Sequence, residues 1–139
     1  MTVLDAIRHR DPAALDELLA DEVVFNSPVR SYRDRDEVVN LLVTIGELLG
    51  EMTVTRELQG PGERITFVSV DKLDGALDER LDDDGRIVEV TLLLRPLDAM
   101  LRAVEAMGQL LAAQGSRPVQ RSEPAAAASS SASPPTANA

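Results

Sequence analysis

The chain has 139 residues, of which 44% are hydrophobic and only 2% aromatic, and it carries a formal net charge of -10. This leaves room for one domain with an aliphatic core of Leu, Val, Ile, Ala and Met, so any pocket is expected to be lined mainly by aliphatics. The acidic field repels phosphate backbones and anionic lipid surfaces, which excludes nucleic acid and membranes as expected partners. The absence of cysteine excludes disulfides, thiol nucleophiles and thiolate metal sites.

Thr2 is expected to cap a short helix carrying Val3, Leu4 and Ile7 that ends near His9 and Arg10. Asp11-Pro12 predicts a restart, because Asp accepts from a free amide at an N-cap and the Pro that follows has no amide hydrogen to lose. Leu15, Leu18 and Leu19 give this second helix an apolar face. Val23 to Phe25 read as a brief strand, stopped by Asn26-Ser27-Pro28 since Pro cannot donate to a ladder, with Val29 to Tyr32 as its return. Asp34 and Glu37 have the spacing of a carboxylate capping box. The helix they open carries Val38, Leu41, Leu42, Ile45, Leu48 and Leu49 on one stripe and is closed by Gly50 as a left-handed cap.

Met52 to Gln59, Arg64 to Leu73 and Ala76 to Leu81 are predicted strands, separated by turns at Gly60-Pro61-Gly62 and Asp74-Gly75. Asp82-Asp83-Asp84-Gly85 is a third turn, and Arg86 to Arg95 completes a four-strand meander. In this last strand one alternating set, Val88, Val90, Leu92 and Leu94, is wholly apolar and is assigned to a buried face. The other set, Ile87, Glu89, Thr91, Leu93 and Arg95, is mixed, which fits either the wall of a partly polar cavity or a solvent face. Pro96 is placed at the first position of a final helix whose Leu97, Met100, Leu101, Val104, Met107 and Leu111 follow the 3.6 period and pack on the sheet or on a second subunit. Residues 1–114 are thus read as the domain, and residues 115–139, rich in Ala, Ser and Pro, as a disordered tail with nothing to repay the entropy of ordering.

The order of elements is α+β, with N-terminal helices covering one face of a curved antiparallel sheet. The residues Arg10-Asp11-Pro12-Ala13-Ala14-Leu15, Leu18 to Pro28, Tyr32, Arg35-Asp36-Glu37-Val38, Asp84 to Glu89 and Arg95-Pro96 resemble the SnoaL-like branch of the nuclear transport factor 2-like (NTF2-like) superfamily. The resemblance covers most of residues 3–112. It implies a cone-shaped fold with a deep cavity between bent sheet and helices, frequently dimeric through the sheet. The superfamily's enzymes isomerise, hydrate, cyclise or hydrolyse small, mostly apolar molecules, and many members have no known activity. Asp34 stands where relatives usually carry Gly, which an improved N-cap explains. The first helix lacks the Tyr of the ketosteroid isomerase branch, and the Asp-Arg-Asp set of the limonene epoxide hydrolase branch is not matched, so no catalytic assignment carries over.

Phe25, Asn26, Tyr32, Phe67, Asp71, Glu89, Thr91 and Arg95 are the candidate pocket residues. A carboxylate such as Asp71 or Glu89 in an aliphatic cavity would have its pKa raised by desolvation, as a general base near neutral pH requires. The plain alternative is that Asp71 pairs with Lys72 or Arg80 at the sheet edge and Glu89 pairs across strands. His9, between two arginines, is read as a helix end rather than a proton shuttle. The Asp82 turn lacks the spaced ligands of a calcium loop, and Gly60-Pro61-Gly62 is too short for a phosphate cradle, so neither metal nor cofactor is expected. The expectation is a SnoaL-like protein with a pocket for a small apolar metabolite, with acid/base isomerase, cyclase or hydrolase chemistry as one use of it. The alternative is a non-catalytic ligand-binding or dimerisation module, homodimeric through Val88, Val90, Leu92 and Leu94. No apolar run reaches transmembrane length and no leader pattern opens the chain, so a cytoplasmic protein is expected.

Overall fold

A computed structural model describes residues 2–114; the segment read as a tail lies outside the described residues. The elements are α1 (Val3–Arg8), α2 (Pro12–Leu18), β1 (Leu19–Asn26), β2 (Ser31–Tyr32), α3 (Arg35–Leu48), β3 (Thr53–Gly60), β4 (Glu63–Val70), β5 (Leu73–Leu81), β6 (Ile87–Arg95) and α4 (Leu97–Ala113). Residues up to Met107 form one compact unit; what is described of a second unit, from Gly108, is helix.

The caps fall where side-chain chemistry puts them. Thr2 and Asp5 form a reciprocal capping box on α1, and Asp11 accepts from the Ala14 amide at the start of α2, with Pro12 inside the first turn. Asp34 accepts from the Glu37 amide, but the Glu37 carboxylate lies 4.0 Å from Arg30, so only half of that expected box forms. Gly50 is not a left-handed cap. Leu49 caps α3, and Gly50 is small because a Cβ there would sit 2.9 Å from the Gly46 carbonyl oxygen. Gly46 has a stronger version of the same reason, since a Cβ on it would overlap the carbonyl oxygen of Ile7, where α3 presses on the end of α1. Pro96 precedes α4 as the residue whose carbonyl accepts from Met100, one place earlier than expected, and the Arg95–Pro96 peptide is cis.

The six strands form one sheet in the order β2-β1-β6-β5-β4-β3. All pairs are antiparallel except β1 with β6, which is parallel, so the sheet is antiparallel over its meander and mixed at one seam. Register shifts in β1 between Leu19 and Val24, in β3 at Thr55 and in β6 at Val88 bend it, because an extra residue on one strand raises the local twist. The expected turn at Asp74-Gly75 is instead strand. The chain reverses at Asp71-Lys72, where Asp71 takes φ 52°, and Gly75 belongs to β5 because a side chain there would meet the Leu93 carbonyl oxygen at 2.8 Å. The Asp82 turn forms as read: the Asp82 carboxylate accepts from the amides of Asp84 and Arg86, and Gly85 supplies φ 83°.

The core lies between the sheet and helices α1 to α3, with Val3, Ile7, Leu15, Leu19, Val38, Leu42, Val90 and Phe25 all buried. The bulge at Val88 changes the phase of β6: Ile87 takes a core position, Val88 is half-buried, and Val90 and Leu92 remain in the core. No described helix is long and apolar enough to cross a membrane.

Candidate functional site

The sheet face beneath α1 and α3 is laid out in cross-strand rows. One row runs Phe25, Val90, Glu79, Arg64 and Gln59; the next runs Leu92, Leu77, Thr66 and Glu57. Further along the same face come Leu94, Gly75 and Val68. One end of the face is therefore polar and the other aliphatic.

At the aliphatic end a small, largely enclosed cavity is lined by Leu4 and Ile7 of α1, by Leu42, Ile45 and Leu49 from α3 and its cap, and by sheet residues that include Leu77 and Leu92. Its volume is about 20 Å3, space for about one water-sized sphere between walls that offer no polar partner. The aliphatic side chains that line it leave little free volume, as close packing requires.

At the polar end stands a residue that the sequence analysis missed. Glu79 is 0% exposed, and its Oε1 lies 3.4 Å from the backbone amide of Val3 and 3.4 Å from Nη1 of Arg64. Oε2 has no hydrogen-bond partner among the described residues. Arg64 also reaches Glu57, with Nε 3.6 Å from its carboxylate. Burial pushes the Glu79 carboxyl above its ordinary value, and Arg64 opposes that without cancelling it. A desolvated carboxyl with one oxygen free and the other anchored can accept and return a proton at a fixed position. The signal was present: in β5 the inward phase reads Leu73, Gly75, Leu77, Glu79, Leu81, so Glu79 falls in the aliphatic register. Starting the strand at Ala76 and leaving its phase unassigned hid it.

None of the eight expected pocket residues lines this cavity. Phe25 is buried in the Glu79 row and stacks on Tyr32, with centroids 6.2 Å apart, while the Arg30 guanidinium covers the Tyr32 ring. Asn26, Glu89 and Thr91 are brought together, but on the opposite sheet face. The Asn26 amide donates to Glu89 at 2.8 Å and to Thr91 at 2.9 Å, and Glu89 lies 3.6 Å from Arg80, the cross-strand pairing named as the plain alternative. Phe67 lies on that outer face under the Arg56 guanidinium, and Arg95 is exposed beside Asp74. Asp71 occupies the β4–β5 turn. Of Val88, Val90, Leu92 and Leu94, expected to form a dimer surface, Val90 and Leu92 are buried beneath the helices and Val88 and Leu94 are half-buried.

The same outer face carries a second perturbed acid. Asp78 is raised to about 6, first by burial and then by the facing Glu63 carboxyl, with Arg80 opposing. Its Oδ1 has no partner, as expected of two carboxyls that can bond only through a shared proton.

No family model matches the chain, and no curated protein does either. Solved structures do. A steroid delta-isomerase from Pseudomonas aeruginosa matches at 28% identity over 80% of this chain and 87% of that one, with a TM-score of 0.71. An uncharacterised bacterial protein with a cystatin-like fold from Silicibacter pomeroyi DSS-3 matches at 19% identity over 80% and 83%, TM-score 0.74. A SnoaL-like protein of unknown function from Burkholderia thailandensis E264 matches at 16% identity over 66% and 87%, TM-score 0.56, and other matches are described as NTF2-like. The chain therefore has an α+β fold like that of solved structures described as NTF2-like and SnoaL-like. That fold hosts many functions, so the activity has to be argued from the site.

Proposed function

We propose that this chain binds a small, largely apolar molecule on the inner face of its sheet and moves a proton on it through Glu79, as an isomerase of the SnoaL-like kind. The observation that carries this reading is the Glu79 carboxyl, wholly buried, raised by desolvation and with Oε2 unpartnered. Leu77 precedes it on the same face and lines the aliphatic cavity, so an apolar body lying along Leu77 and Leu92 would present a polar group to Glu79. The walls, which include the flexible Met52, must part to admit it. Phe25, in the Glu79 row, and Tyr32 stacked on it form the aromatic flank of this site.

The match to a steroid delta-isomerase suggests the substrate class to try first. In such a shift the Glu79 carboxylate removes a proton from the carbon between a carbonyl and a neighbouring double bond. It returns that proton to the far end of the moved double bond, so the carboxylate is regenerated and nothing else is consumed. The full chain, incubated with a β,γ-unsaturated ketosteroid and followed by the absorbance of the conjugated enone, is expected to convert it. Glu79→Gln is expected to lower the rate by at least about a hundredfold while still binding steroid. A wild-type chain that neither converts the steroid nor is thermally stabilised by it, or a Glu79→Gln variant as active as wild type, would reject the reading.

A second reading, a homodimer, is favoured by the outer face. Leu93 is 60% exposed and Leu58 51%, with Ile65, Phe67 and Ala76 half-buried between them. An apolar strip of this kind on an otherwise acidic chain suits a second copy better than water. The lack of cysteine supports a cytoplasmic setting for either reading.

A further inference from the structure

A second space, separate from the Glu79 row, opens between the end of α3, the β4–β5 turn and the start of α4. Its volume is about 470 Å3, and its lining includes Leu48, Leu49, Val70, Leu73, Ala99 and Ala103. The room exists because α4 turns alanines to this side, Ala99, Ala103 and Ala106 at helical spacing, where larger side chains would have closed it. A space of this size falls within the range of small-molecule sites.

The formal net charge is -10 and Lys72 is the single lysine of the sequence, yet Lys72 and Arg102 both line this groove, with Asp71 in the lining and Asp98 beside Arg102. Among the described residues Arg102 pairs with Asp98 at 3.8 Å, and both side chains are largely exposed, an arrangement weak enough to yield the guanidinium to a better anion. Asp71 is fixed at φ 52° in the reversing turn, which sets Lys72 at the mouth.

We propose that this groove binds an amphipathic monoanion, an aliphatic carboxylate whose head lies between Lys72 and Arg102 and whose tail lies on the alanine face of α4. The fork of Arg102 suits the two oxygens of a carboxylate, and with two acids already at the rim a monoanion is taken more easily than a dianionic phosphate. The back wall, Leu49, Val70 and Leu73, is shared with the aliphatic cavity, so a longer tail meets aliphatic surface beyond the groove itself. The site does not use Glu79 and stands apart from the isomerase reading.

The test is calorimetric titration of the full chain with dodecanoate below its micellar concentration, beside dodecanol and dodecyltrimethylammonium. Dodecanoate is expected to bind with one molecule per chain, and both other amphiphiles at least about tenfold more weakly. Lys72→Glu and Arg102→Glu are each expected to lower dodecanoate affinity by about tenfold or more. Ala103→Trp, which fills the half-buried groove, is expected to abolish binding while Tm holds within a few degrees of wild type. Glu79→Gln is expected to bind dodecanoate as wild type does, which separates this site from the proton-transfer reading. No dodecanoate binding, equal binding of dodecanol, uptake of several molecules that Ala103→Trp leaves unchanged, or affinity insensitive to both charge reversals would each overturn the proposal.

Discussion

Across the paired strands β4 and β5, Nη1 of Arg64 stands 3.4 Å from Oε1 of Glu79, the one cation set against a wholly buried carboxyl. The pair is exposed to water only on the arginine side, whose side chain is 17% accessible. Removing one partner leaves the other unpaired in a low-dielectric site, whereas removing both leaves nothing uncompensated. Arg64→Met is therefore expected to destabilise the fold by about 3 kcal/mol at neutral pH. The double variant Arg64→Met with Glu79→Leu is expected to recover most of that loss. Urea unfolding of wild type, both single variants and the double variant checks it; additive losses in the double variant would contradict the coupling.

Asp78 makes stability depend on pH in a defined direction. Its carboxyl is raised from 3.8 to about 6 in the folded chain, so the folded state holds a proton that the unfolded state has already released between these values. The contribution of Asp78 to stability is then fully present below about pH 4 and is lost as pH rises through about 6. Because the site is partly open to water, the effect is screened to about 1 kcal/mol. Asp78→Asn is expected to flatten this slope and to be more stable than wild type at pH 7, as measured by melting temperature across that range. A wild-type profile that rises from pH 4 to 6 would count against it.

Gly46 is the closest backbone approach in the helical layer. A methyl group there meets the Ile7 carbonyl oxygen, and backbone cannot swing aside as a side chain can. Gly46→Ala is expected to cost about 2 to 3 kcal/mol despite the better helix propensity of Ala. Gly60→Ala, with nothing within 4 Å of the added atom, is the control and is expected to change stability by less than about 1 kcal/mol. Thermal unfolding of both variants decides between packing and propensity as the reason for Gly46.

For the homodimer, Leu93→Glu places a charge on the most exposed aliphatic of β6 without touching the core. Sedimentation is expected to show a dimer for the wild type and a monomer for this variant, with unchanged circular dichroism. A wild-type monomer at tens of micromolar would remove the dimer reading.

The elements most legible in the sequence are those whose geometry is made by the side chains of their own few residues. Thr2, Asp11, Asp34 and Asp82 each accept from a backbone amide two to four residues on, and each marks a helix start or a turn where it was read. The β4–β5 turn was misplaced because Asp74-Gly75 is the stronger local turn signal, while the reason for Gly75 is non-local, the Leu93 backbone on the next strand. Gly50 was misread for the same kind of cause. The phase of β6 holds at Val90 and Leu92 and fails at Ile87, since a bulge is a property of the pair and not of one strand. Among the candidate site residues, Asn26, Glu89 and Thr91 hydrogen-bond to one another on the sheet face away from the helices; a strand's two faces exchange with a one-residue slip, so sequence alone does not assign that face. The inward phase of β5 places Glu79 among aliphatics, but its partners Val3 and Arg64 are distant in sequence and only the fold shows them.

The central claim, that the buried Glu79 carboxyl is a proton-transfer group within reach of an apolar ligand, is tested most directly by following its carboxyl carbon in nuclear magnetic resonance as pH is varied, with and without a bound ketosteroid. The account predicts a midpoint above the ordinary value of 4.5 in the free chain, and a further change in that midpoint when the ligand is added. A midpoint at or below 4.5 that the ligand leaves in place would contradict it.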